Sequence, residues 1–191
     1  ESRALESMRY GDELYGIPAS QDCLSLIYNK ALFDAEGLDY PSEDWTQQDL
    51  LSNAQQLTQQ DVQGLALPIK TAYWWFPIQE GFGGSLFDEE GSPTLDSNGS
   101  SEAMRWMLDL ELEHEVVATG TQIEGMKNQF ITSKAAMIID GPWNWATYED
   151  SRLNIGQTLL PTVVETGERM SPLVTYKGWT VSKQSAHKVA A

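Results

Sequence analysis

Short runs of unbroken apolar residues alternate along this chain with stretches in which apolar positions return every three or four residues. Ala135-Ala136-Met137-Ile138-Ile139 is continuous, apolar and short, which predicts a fully buried strand. It stops at Asp140-Gly141-Pro142, where Gly frees the backbone and Pro suits a first helical turn. Residues 24–28 predict a second buried strand, and residues 65–69 a third that Pro68 interrupts. Residues 13–19 are β-like but carry Pro18, which belongs at an edge or a crossing point. Residues 154–160 run up to Pro161, and 174–181 predict a late strand.

Between these lie the helical patterns. Residues 31–36 predict a short helix stopped by Gly37. Thr46 opens one that runs to about residue 57, with Asp49 at capping-box spacing. The cluster Tyr73-Trp74-Trp75-Phe76-Pro77 heads a helix that the turn Gly81-Phe82-Gly83-Gly84 ends, and 85–95 is turn-rich. Ser97 can cap a long amphipathic helix with Ala103, Met107 and Leu110 on one stripe, and 126–132 predict another. Strands alternating with helices indicate an α/β domain.

The 191 residues suffice for one sizeable domain and parts of a second, and 41% hydrophobic content with seven Trp excludes a disordered chain. Against 12 basic residues stand 28 acidic ones, a formal charge of −16 that argues against nucleic acid or an anionic membrane as partner. Cys23 is the single cysteine, so no intramolecular disulfide and no cysteine-rich metal site is expected. No stretch has the length and apolarity of a membrane span. Both ends read as cut: the start is already a helix-like polar run, and 185–191 is a helix barely begun. The absence of a signal peptide therefore decides nothing about compartment.

Candidate chemistry gathers at strand ends. Trp143 and Trp145 sit where a strand hands over to a helix, the rim at which open α/β sheets collect ligands. Tyr73-Trp74-Trp75 occupies a similar place after another strand. Aromatic faces accept the C–H faces of pyranose rings, each stacked face contributing about 0.5–1.5 kcal/mol by analogy with aromatic pairs. Tyr73 and Trp143 are the ligand candidates, whereas Trp75, Phe76 and Trp145 are read as core. Asp22, Glu80 and Asp140 are read as carboxylates beside strand ends, and Asp22, preceding a buried strand, is the best hydroxyl acceptor. Asp22 and Asp140 as paired acids would suit a carbohydrate-active enzyme, an alternative that spacing alone leaves open. Glu111, Glu113, His114 and Glu115 close an acidic helix without metal-ligand spacing, and the glycine turn at 81–84 lacks a phosphate-loop ending.

Four segments, in order, resemble the extracellular solute-binding proteins of ABC sugar importers, the maltose/maltodextrin-binding group. They are Leu14-Tyr-Gly-Ile-Pro18 with Leu24-Ser-Leu-Ile-Tyr-Asn-Lys30, then Trp45-Thr46, then Phe130 with Ser133 to Trp143, and Gly178-Trp179-Thr-Val-Ser-Lys183 with Ser185-Ala-His-Lys188. The resemblance implies one lobe, the C-terminal one, of a two-lobed periplasmic-binding-protein-like type II fold. It implies that residues 1–20 are a hinge and first-lobe remnant, 21–173 the sugar-binding lobe, and 174–191 a return strand and helix start of the first lobe. Tyr73 and Trp143 match stacking positions, Trp74 a neighbouring aromatic, and Asp22 an acid that accepts sugar hydroxyls. Thr71 stands where the maltodextrin binder has a second acid, a departure that bears on which sugar fits.

The function implied is non-enzymatic: an oligosaccharide is held between lobes, the hinge closes, and the ligand passes to a membrane permease. No cofactor or metal is implied, and the location would be periplasmic or extracellular, lipid-anchored or free. A related receptor for polyamine, glycerol phosphate or iron is the other alternative; few basic residues near the rim disfavour phosphate. A lone lobe should bind sugar weakly, and the strand at 174–181 should lie exposed or pair with another chain.

Overall fold

The computed structural model describes residues 3–188. The chain divides into two compact units, Glu1–Cys23 with Val174–Ala191, and Leu24–Leu173. In the first, helix α1 (Arg3–Glu6) precedes a two-stranded hairpin of β1 (Arg9–Tyr10) and β2 (Glu13–Leu14), whose turn uses Gly11 at φ 60°. Strand β3 (Ile17–Asp22) follows and carries Pro18, with an irregular register between Pro18 and Ser20. A proline cannot donate to a strand ladder, so a break beside it is the expected accommodation.

The second unit runs through β4 (Ser25–Asn29), α2 (Lys30–Glu36), α3 (Gln47–Leu57), β5 (Gln63–Ala66), α4 (Ala72–Gly81), α5 (Asn98–Leu112), α6 (Ile123–Ile131) and β6 (Ala135–Asp140). A 3₁₀ turn (Pro142–Asn144), α7 (Trp145–Asp150) and β7 (Ile155–Thr158) complete it. Its sheet has the order β5-β6-β4-β7. Only β5 and β6 are parallel; β4 runs antiparallel to both β6 and β7, so the sheet is mixed. Every residue of β4 and β6 is buried, which is why β6 reads as a continuous apolar run and the centre of β4, Leu26-Ile27-Tyr28, as a short one. Helices α3 and α6 pack on this sheet, and α4 packs on α5. Leu26, Ile27, Leu65, Ile138, Leu50 and Phe130 are among the fully enclosed side chains, each contributing about 1.5–3 kcal/mol by burial.

Helix boundaries follow their caps. The Asn29 side chain accepts from the Ala31 N–H at 3.1 Å, and Gly37 closes α2 at φ 66°. Thr46 and Asp49 form the reciprocal capping box at the start of α3. Ser97 caps α5, whose Ala103, Met107 and Leu110 face the core. Some elements differ from the sequence reading: β5 stops at Ala66, short of Pro68, α6 begins three residues early at Ile123, and the β-like segment expected over 13–19 is split between β2 and β3, which pair with different strands.

The last strand, β8 (Thr175–Trp179), returns to the first unit and pairs antiparallel with β3, from Ile17↔Trp179 to Asp22↔Thr175. The exposed strand expected here thus satisfies one backbone edge within its own chain, while four of its five residues stay exposed. Residues 183–184 and 186–188 are turns, and the rest of the helix start expected over 185–191 lies outside the described residues.

Candidate functional site

The C-terminal end of β6 organises the candidate site. Its last two residues bind neighbouring elements by different groups. The Ile139 carbonyl accepts the Trp74 indole N–H at 2.6 Å, which holds the first turn of α4 against the strand. Asp140 is 0% exposed. Its Oδ2 accepts from Asn144 Nδ2 at 2.8 Å and from the Tyr148 hydroxyl, while Oδ1 has no hydrogen-bond partner among the described residues. Burial, and then the Asp140 carboxylate it donates to, push the Tyr148 phenol far above its ordinary value, so it stays a donor. Tyr148 is wedged edge-on between Phe130 and Trp145, with ring centroids at 5.6 and 6.1 Å.

Gly141 comes next, with φ −119° and ψ 176°, an extended conformation open to any residue. Space is what requires glycine here: a Cβ would meet the Trp143 ring at 2.2 Å. The indole therefore lies back over the Gly141 backbone. Trp143 is 40% exposed, and its ring stands 6.1 Å from that of Tyr73 at an interplanar angle of 61°. Tyr73 is half-buried and meets Trp74 edge-on at 5.6 Å. The two rings thus meet edge-to-face at the sheet rim, with the Trp143 indole the more exposed of the pair and able to offer a flat apolar surface to a sugar ring face.

The other sequence candidates are placed as follows. Trp74 is only 4% exposed with its N–H engaged, so it packs in the core and offers a ligand almost no surface. Trp75 and Trp145 are half-buried and pack against the core. Thr71 is the N-cap of α4, and its hydroxyl makes no capping bond. Burial raises the Glu80 carboxyl above the usual carboxylate range. Asp22 lies in the first unit, 9% exposed, and forms an ion pair with Lys177 across the β3–β8 pair. As the acid of a glycosidase pair Asp140 is poorly presented, being enclosed and bound to two donors. Among the described residues no group of three or more His, Cys, Asp or Glu is placed to hold a metal, and no helix is long and apolar enough to cross a membrane.

Three participants were not singled out from sequence. Asn144 and Tyr148 are one helical turn apart across the start of α7, a spacing visible in sequence, but their meeting with Asp140 depends on how the strand end hands over to the helix. Lys177 had none, because its partnership with Asp22 depends on the pairing of strands some 150 residues apart.

The bacterial extracellular solute-binding protein family matches residues 2–191. The chain belongs to that family. It is 25% identical over 189 residues to the maltodextrin-binding protein of Bacillus subtilis, covering 95% of this chain and 45% of that protein. In structure it is similar to an ABC substrate-binding protein from Listeria monocytogenes solved in complex with cycloalternan, with a TM-score of 0.87, 26% identity, and coverage of 100% of this chain and 49% of that one. It is also similar to the Thermus thermophilus maltotriose binding protein bound with maltotriose, with a TM-score of 0.84, 25% identity, and coverage of 99% and 50%. The chain spans about half the length of these relatives, and its fold is one half of a maltose-binding-protein-like type II fold. The named relatives of this solute-binding protein are binding proteins rather than enzymes.

Proposed function

We propose that this chain is a lobe of the ligand receptor of an ABC importer and that it binds an oligosaccharide of the maltodextrin type. The observation that carries the reading is the Tyr73–Trp143 pair, two partly open rings at 61° on the rim of the sheet in a solute-binding family member. A pyranose presents apolar C–H faces to such rings, while its hydroxyls need donors and acceptors at their edges. In its own unit, Asp22 pairs with Lys177 and offers a carboxylate of the kind that accepts hydroxyl hydrogen bonds. Relatives named for maltodextrin and maltotriose support the substrate class. The receptor performs no covalent chemistry, needs no cofactor, and works outside the cytoplasmic membrane. It hands its ligand to a permease after closing around it, the hinge motion known for periplasmic binding proteins. Residues 1–20 and 174–191 would belong to hinge and first lobe, and 21–173 to the sugar-binding lobe.

Calorimetric titration of the full-length protein with maltotriose tests this. Binding is expected, and Trp143→Ala or Tyr73→Ala should weaken it at least roughly tenfold, about 1.4 kcal/mol, with the melting temperature nearly retained. Unchanged affinity in both variants would remove the ring pair from the site.

A further inference from the structure

We propose that Asp140, acting through Asn144, and the Trp74 indole N–H form a positioning device that sets the angle between the Tyr73 and Trp143 rings. The proposal rests on the reading of those rings as the sugar site. The two rings belong to different elements, one in the first turn of α4 and the other in the 3₁₀ turn after β6. Nothing local to either segment fixes their mutual orientation, yet both segments are tied to consecutive residues of one strand. Trp74, next to Tyr73, donates to the Ile139 carbonyl at 2.6 Å. Asn144, next to Trp143, donates to Asp140 Oδ2 at 2.8 Å.

The chemistry of Asp140 supports a role beyond filling space. A fully enclosed carboxylate with one oxygen unpartnered among the described residues is costly, and an apolar or neutral residue would serve the strand at less expense. What a carboxylate provides is the stronger acceptor for two donors, one on the turn and one on α7. Gly141 completes the device by leaving room for the indole to settle over the backbone. Rings held ready in their binding geometry spare the ligand the cost of ordering them. Trp74 is then a positioning residue, and its burial is part of how it acts.

The test is a double-mutant cycle in the full-length protein with Asn144→Ala and Trp143→Ala, singly and together. Maltotriose affinity is measured by calorimetry, and near-ultraviolet circular dichroism is recorded without ligand. Asn144→Ala leaves the Asp140–Tyr148 bond in place, so the fold should persist. It should weaken maltotriose binding roughly tenfold and alter the aromatic dichroism, and in the Trp143→Ala background it should do neither. Asp140→Asn, which keeps a carbonyl acceptor, should lie between the native protein and Asp140→Ala. A lowered melting temperature with affinity and dichroism unchanged would overturn the proposal. Equal losses in both backgrounds would do the same. Should the native protein bind no maltodextrin, the sugar reading fails by itself, and the dichroism cycle still decides: non-additive changes support positioning and additive ones reject it.

Discussion

At the scale of single residues, Gly141 ties the strand end to the exposed indole beside it. Its torsions suit any amino acid, so the usual account of a glycine in a turn does not apply. The constraint is contact, since a methyl group would sit 2.2 Å from the Trp143 ring. The indole is the far end of a side chain and 40% exposed, so it can swing away more easily than the strand can move. Gly141→Ala should therefore cost less than about 1 kcal/mol of stability while changing the near-ultraviolet dichroism and weakening sugar binding. A large drop in melting temperature with the aromatic signal intact would show that the backbone yields instead. The turn itself was visible in sequence from Asp140-Gly141-Pro142, but the reason for the glycine was not. Close approach of a ring two residues on leaves no trace in one-dimensional spacing. The burial of Trp74 was hidden for a similar reason: four aromatic residues in a row give no sign of which face the sheet covers.

Elements were legible where the local signal and the tertiary demand coincide. The buried strands β4 and β6, the cap of α2, the capping box of α3 and the core stripe of α5 all stand where pattern placed them. The α3 start is informative because two devices meet there. Thr46 Oγ1 accepts from the Asp49 N–H at 3.2 Å and Asp49 Oδ2 accepts from the Thr46 N–H at 2.8 Å. Next to them, the Gln47 side chain accepts from the Val164 N–H at 2.9 Å and donates to Glu165 at 2.6 Å, tying the helix to the loop beyond β7. Thr46→Ala should cost about 1 kcal/mol, the usual worth of a cap, read as a lower urea midpoint with an unchanged slope. A loss under about 0.3 kcal/mol would mean that Gln47 alone secures the helix start. Pairing partners, by contrast, were not legible. Alternating strands and helices suggested an α/β layer, yet nothing local says that β4 runs against β6 or that β8 finds β3. Both depend on contacts across more than 100 residues.

On the scale of the whole molecule, the two units differ in what holds them. Among the described residues, all the buried apolar side chains, from Leu24 to Met170, belong to the unit Leu24–Leu173. The first unit rests on two-stranded pairings, and Tyr10, Tyr15, Ile17 and Trp179 are all exposed there. A two-stranded sheet with little buried apolar surface is marginal in water, whereas a four-stranded sheet covered by helices is not. The Asp22–Lys177 pair adds little where its lysine is mostly exposed. Local openings should therefore be far less costly in β3–β8 than in β4–β6. Native-state hydrogen exchange on the 191-residue chain reads this directly. The amides of Ile27 and Ile138 should exchange only through global unfolding, and those of Ser20 and Lys177 should exchange at least about a hundredfold faster, a gap of about 2.7 kcal/mol in opening free energy. Equal protection across the two sets would mean that the strand pair shares the stability of the core, and that the unit boundary at Cys23 and Val174 is no boundary in energy.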